Sequence, residues 1–144
     1  MAGRGEHLPV GEIPLPRRST RGSAGYDFVT PAEIVLPPEG RVMIPTGIRC
    51  EMQEGWVLLI FPRSGLGFRY QIRLCNTVGV IDSDYAFAEN EGHIMVPLRN
   101  PTKQEIVLAR GERFCQGVFV PFGLAEEDGE SLGERSGGFG STGR

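Results

Sequence analysis

The apolar stretches of this chain are short, and that limits what it can fold into. The longest runs from Trp56 to Pro62. It is too brief to cross a bilayer as a helix, and within it Trp56–Phe61 reads as a buried strand. The other stretches are separated by turn residues: 21 Gly and 11 Pro punctuate the 144 residues. Pro37-Pro38-Glu39-Gly40 closes an apolar stretch over Ala32–Leu36, and Gln53-Glu54-Gly55 precedes the run at Trp56. Arg41–Pro45 places Val42 and Ile44 on one face. Ile48, Cys50 and Met52 alternate with Arg49 and Glu51, a period-two pattern. Further strands are predicted over Ile72–Cys75, Thr77–Ile81, Ile94–Leu98, Ile106–Leu108 and Phe114–Val120. Pro62, Pro97 and Pro121 fall where a strand is closed or interrupted. Only Ser64–Tyr70 reads as helical, with Ser64 as its N-cap. Short strands joined by turns imply an all-β barrel or sandwich.

The length suits one domain. Residues 1–22 are rich in Pro and Arg and read as irregular with at most one short strand. From Gly123 the composition shifts to Gly, Glu and Ser. The expected division is a barrel over 1–122 and a flexible C-terminal arm over 123–144. The net charge of −3 gives no bulk attraction for nucleic acid, so none is expected as a partner. No apolar leader follows Met1 and no membrane partner is expected, which makes the cytoplasm the expected compartment. Cys50, Cys75 and Cys115 are odd in number and lie in apolar or strand-like stretches, as free buried thiols would. Neither CxxC nor HExxH occurs, so a zinc site has little support.

Five stretches could carry chemistry. Ser23-Ala24-Gly25-Tyr26-Asp27 alone reads as a Gly turn into a strand with a solvated Asp27. In Pro62-Arg63-Ser64-Gly65-Leu66-Gly67, Arg63 and the amides of a helix start could hold an anion, with Gly65 admitting a phosphate to the backbone; an ordinary cap beside an exposed arginine reads equally well. Asn76-Thr77-Val78-Gly79-Val80-Ile81-Asp82-Ser83-Asp84-Tyr85 suggests a hairpin about Gly79 and Ser83. Its Asp82 would be partly buried and able to serve as a general base, or else would only stabilise the turn. Gln116, in Gly111-Glu112-Arg113-Phe114-Cys115-Gln116-Gly117-Val118, needs a partner if it points inward and none if it faces solvent. The tail stretch Arg135–Gly143 adds one aromatic ring, Phe139, to an otherwise Gly- and Ser-rich segment.

In this order and at these separations, SAGYD, PRSGLG, NTVGVIDSDY, GERFCQG and RSGGFGSTG resemble the five motifs of the trimeric dUTPase family, over Ser23 to Gly143. The resemblance implies a jelly-roll-like β-clip barrel that assembles as a homotrimer, with each site built from three chains. It implies hydrolysis of dUTP to dUMP and pyrophosphate. Asp82 would contact the sugar 3′-hydroxyl and activate the water that attacks the α-phosphorus. Arg63, Ser64, Gly65 and Gln116 would serve the phosphates. Asn76 and the backbone near Val80 would read uracil, and Tyr85 would lie under the deoxyribose. From the arm, Phe139 would stack on the base, while Arg135, Gly138, Gly140, Ser141 and Thr142 would hold the γ-phosphate. Mg²⁺ would be chelated by the triphosphate, with Asp27 reaching it through water.

The chain departs from the family pattern after Tyr85. Ala86-Phe87-Ala88-Glu89-Asn90-Glu91-Gly92-His93-Ile94 stands where relatives usually have Arg-Gly-Glu, which reads as an insertion in the hairpin's second strand. Cys115 replaces a usual Ala and Phe28 a usual Leu, both taken as packing changes. His93 reads as a solvated loop residue, and Trp56 as core or trimer interface. Two other readings share the fold. A dCTP deaminase would need a carboxylate base on the strand at Ile94–Leu98, which has none; a regulatory binding protein could use the segment after Tyr85 as its contact.

Overall fold

The computed structural model describes residues 3–4, 9–128, 133 and 135. Ten strands and one α-helix follow in the order β1 (Gly3–Arg4), β2 (Tyr26–Val29), β3 (Glu33–Leu36), β4 (Arg41–Pro45), β5 (Trp56–Pro62), α1 (Ser64–Tyr70), β6 (Arg73–Leu74), β7 (Gly79–Ile81), β8 (Met95–Arg99), β9 (Ile106–Leu108) and β10 (Arg113–Pro121). Short 3₁₀ turns cover Val10–Glu12 and Ser83–Phe87. The strands form three sheets with neighbour orders β1-β3-β9, β2-β10-β5-β7 and β4-β8-β6, all antiparallel.

Alternating side chains feed one core between these sheets. Ile34, Leu36, Ile44, Ile60, Leu98, Leu108 and Phe114 are fully buried in it, and Val42 packs against it beside Ile44. Phe28 is also buried there. Among the described residues three polar side chains are buried too: Thr30, Thr46 and Asn100. Asn100 is satisfied by donating to the carbonyls of Leu36, Pro37 and Gln104. Among the described residues no buried side-chain nitrogen or oxygen lacks a partner, as a stable interior requires.

Several expectations need correcting. The stretch around Gly79 is not a hairpin. β6 pairs with β8, while β7 pairs with β5 and lies at the edge of a different sheet. Ser83 opens a 3₁₀ turn rather than a β-turn between paired strands, and the residues after Tyr85 form turns, not a strand. Ser64 is the first helical residue. The cap is Arg63, held extended, and no side chain closes the helix end. Ile48–Met52 keeps its alternation, with Ile48, Cys50 and Met52 against the core, but joins no ladder. Cys75 is exposed rather than buried, and Trp56 is 39 % exposed, so it is no core residue. Pro97 sits inside β8, where its carbonyl accepts from the Cys75 amide just past the end of β6. Its missing donor therefore faces a place where the ladder has already stopped.

Candidate active site

At one end of the four-stranded sheet, β10 runs between β2 and β5. The register sets Gln116 beside Asp27 on one side and Phe61 on the other. A bulge at Phe114 inserts one residue into β10, which buries Phe114 and Cys115 in succession. The Gln116 amide donates to the Pro62 carbonyl at 3.4 Å. Gly25 makes room for it: a Cβ there would lie 2.2 Å from Gln116 Oε1. The glycine of the first motif therefore exists for the glutamine of the fourth. Asp27, its side chain only 13 % exposed, lies 3.7 Å from Arg63 Nε and 3.7 Å from Arg113 Nη1. It also accepts from Ser19 Oγ at 3.1 Å. Burial, and then the Asp27 charge, push the Cys115 thiol well above its usual range, so it stays protonated and is no nucleophile.

The other cluster lies past the far end of β5. Here β7 is an edge strand, so alternate residues present unpaired amides and carbonyls outward. Val80 on this edge is 58 % exposed. Gly79 lets the strand close on β5, since a Cβ would come within 2.9 Å of Ile60 Cβ. Asp82 follows directly. Its side chain is 56 % exposed, not partly buried as the sequence suggests. The Arg135 guanidinium bonds to both Asp82 and Asp84, at 2.8 Å to Asp84 Oδ1, and lies over the Tyr85 ring. The Tyr85 ring is buried. Its hydroxyl donates to the His93 carbonyl at 2.6 Å and accepts from Asn90 Nδ2 at 2.8 Å. Asn76 is exposed beside Arg41, Met43, Cys75 and Pro97, which line a shallow cavity with it.

The structure thus unites Asp27, Arg63 and Gln116, with Ser64 and Gly65 exposed next to Arg63. Separately it unites Asp82, Tyr85 and Arg135. It does not bring the two groups together within one chain. Gly138, Phe139, Gly140, Ser141 and Thr142 lie outside the described residues.

The family model for dUTPase matches residues 11–143. The chain belongs to the dUTPase family. It is 45% identical over 133 residues to the deoxyuridine 5′-triphosphate nucleotidohydrolase of Lactococcus lactis, covering 91% of this chain and 89% of that one. It is similar to the corresponding enzyme of Finegoldia magna at 41% identity, covering 90% and 92%. Among solved structures, the dUTPase of Streptococcus mutans superposes with a TM-score of 0.72 at 43% identity, over 77% of this chain and 88% of that one. The dUTPase of Staphylococcus bacteriophage 80alpha, in a G164S mutant with dUpNHpp, gives 0.68 at 26% identity over 92% and 93%. Membership makes the chain a dUTP-hydrolysing enzyme with the all-β dUTPase fold. Among the described residues, no helix is long and apolar enough to cross a membrane.

Several neighbours of these two clusters escape a reading of the motifs. Arg113 lies inside the fourth motif yet draws no notice until its register opposite Val29 brings it to Asp27. Ser19 and Asn90 carry no local signal, because their partners are set by tertiary folding. His93 is half-buried, and its Nε2 accepts from the Gly47 amide at 2.9 Å, so it is not a solvated loop residue.

Proposed function

We propose that the chain converts dUTP to dUMP and pyrophosphate in a site shared between copies of itself. One observation carries this reading: the two clusters stand at opposite ends of β5. Ile81, next to Asp82, pairs with Leu58. From Leu58 to Arg63 is about 16 Å of extended chain at roughly 3.3 Å per residue. The sugar and the α-phosphorus of a nucleotide are joined through a single ester oxygen. That separation along one strand favours a nucleotide held between Asp82 of one copy and Arg63 of another over one held within a single chain. A homotrimer with the 123–144 arm of a further copy closing over the pair fits the resemblance.

In this site the edge of β7 at Val80, with Asn76, reads the uracil. Cytosine reverses the donor pattern at its position 4 and would leave backbone groups unpaired. Tyr85 fills the space below the deoxyribose. Asp82 holds the 3′-hydroxyl and takes the proton of the attacking water. Arg63, Ser64 and Gln116 from another copy stabilise charge on the phosphate oxygens. A Cβ on Gly65 would meet nothing within 4 Å, so the backbone there is open to an approaching phosphate. In the free chain Arg135 is paired with Asp82 and Asp84. Moving Arg135 to the γ-phosphate, with Gly138, Phe139, Gly140, Ser141 and Thr142 closing over the nucleotide, releases the Asp82 carboxylate.

Mg²⁺ enters this reading as a guest of the substrate. Among the described residues no group of three acidic, His or Cys side chains could hold a metal. Asp27 already faces two guanidinium groups, which suits a carboxylate that accepts from a metal-bound water rather than a direct ligand. A bound Mg²⁺ would supply charge neutralisation along the triphosphate. A solved phage phi11 dUTPase of the same fold carries a structural Mg(II) ion.

The deaminase reading loses its base: β8 holds no carboxylate, and Glu89 and Glu91 are exposed in the loop before it. A nucleotide panel with Mg²⁺ and with chelator tests the proposal. Pyrophosphate release is expected from dUTP alone and should fall on chelation. Ammonia from dCTP, or no release from dUTP, overturns it.

A further inference from the structure

The segment after Tyr85, where the chain departs from its relatives' usual sequence, turns back onto Tyr85 itself. We infer that Asn90 is a positioning residue for the Tyr85 ring, and thereby a determinant of selectivity for the deoxyribose over the ribose. This rests on the reading of Tyr85 as the floor under the sugar.

A phenol hydroxyl has one proton to give and accepts along its lone pairs. Both functions are engaged inside the loop: the proton goes to the His93 carbonyl, and Asn90 Nδ2 donates to the oxygen. The hydroxyl is therefore committed to the protein, and a nucleotide meets the ring. Selectivity then depends on where the ring stands, because a 2′-hydroxyl is rejected by lack of space. The loop fixes that position from several sides. Asn90 Oδ1 accepts from the Gly92 amide at 3.1 Å, which sets the orientation of its side-chain amide. Gly92, at a φ of 75°, passes so close that a Cβ would fall 2.5 Å from Ala86 Cα and 2.9 Å from the Tyr85 carbonyl oxygen. Arg49 donates twice to the Ala86 carbonyl, at 3.0 Å and 2.9 Å. The residues after Tyr85 thus form a buttress for one ring, and the path from Asn90 to the sugar runs through the Tyr85 hydroxyl.

The test is a double-mutant cycle on the ratio of kcat/KM for dUTP to that for UTP. Asn90→Ala and Tyr85→Phe are each expected to lower the ratio about tenfold, by raising UTP turnover relative to dUTP. In the double variant the second change should add nothing, since Asn90 acts through the hydroxyl. Asn90 is exposed, so its variant should fold, and a thermal melt checks this. An unchanged ratio in Asn90→Ala overturns the inference alone, provided the wild type cleaves dUTP. A further drop on adding Asn90→Ala to Tyr85→Phe also overturns it, because the amide would then act on the loop and not on the ring. A wild-type protein that does not cleave dUTP overturns the reading of the site, and this inference with it.

Discussion

The two ends of β5 solve different problems by different means. At the Arg63 end, β-ladder register does the positioning: Asp27, Gln116 and Phe61 stand abreast on three adjacent strands, and Gly25 leaves a hollow for one amide. At the Asp82 end, the key carboxylate follows a three-residue edge strand and stands on the surface, covered by an arginine from far along the chain. The first end is a polar cluster built into the sheet, which the proposed reading assigns to the phosphates. The second has a buried ring, Tyr85, beside an exposed carboxylate, Asp82, which the proposed reading makes the floor under the sugar and the base. Substitutions at the first end should therefore disturb geometry and stability together, and those at the second should remove chemistry from an intact fold.

The sharpest way to break this contrast is Asp82→Asn. The substitution is isosteric and the side chain is largely in solvent, so the melting temperature should stay within a degree or two. Turnover of dUTP should fall by about 10³-fold if Asp82 takes the proton from water. Steady-state kinetics and a thermal melt on the same preparation decide it. Near-normal kcat would remove Asp82 from the chemistry, and a large drop in melting temperature would show that the two ends are not so different.

Gly25→Ala probes the other end and should be smaller in rate but visible in stability. The new Cβ would lie 2.2 Å from Gln116 Oε1, so the glutamine must swing away or the Gly25 turn must shift. The expected cost is about 1–3 kcal/mol of stability, together with a fall of about tenfold in kcat for a displaced phosphate contact. Denaturant unfolding and kinetics measure the two. Gly55→Ala is the control: its φ is 86° but a Cβ there meets nothing within 4 Å, so it should cost backbone strain without touching dUTP turnover.

The sequence makes this contrast legible only in part, and the reason is physical. Alternation reports which face of a strand is wet. It located β4 and β9 to the residue, and it found α1 and nearly all of β5. It says nothing about which strand lies alongside. Hence Asn76–Tyr85 reads as a hairpin turning at Ser83 although β7 pairs with β5 and a 3₁₀ turn follows it, and Ile48–Met52 reads as a strand although no ladder partner adjoins it. The 3₁₀ turn at Ser83–Phe87 is too short to show a period. Among the site residues, the motifs named Asp27, Arg63, Gln116 and Asp82. The meeting of the first three at one sheet end, and the distance of the fourth, follow from register alone.

The smallest expected effect concerns pH and tests whether the Tyr85 floor is as fixed as the sheet. His93 Nε2 accepts from the Gly47 amide, so the ring must be unprotonated at that nitrogen. Burial lowers the His93 pKa below its ordinary value of 6.5. Arg49 and Glu91 line the same cavity, and Arg49 is itself paired with Glu51 at 2.5 Å. With the folded value below the unfolded one, the neutral ring contributes its full stability above about pH 6.5. As the pH falls below 6.5 the unfolded chain takes the proton first, and the contribution is lost down through the folded pKa. Melting temperatures measured from pH 7.5 to pH 5 should therefore decline more steeply in the wild type than in His93→Gln, whose amide oxygen can accept from Gly47 without titrating. The difference should be a few degrees at most, because the ring is only partly shielded. Parallel curves for the two proteins would mean that the Gly47 contact does not tie the loop, and the buttress behind Tyr85 would then rest on Asn90 and Arg49 alone.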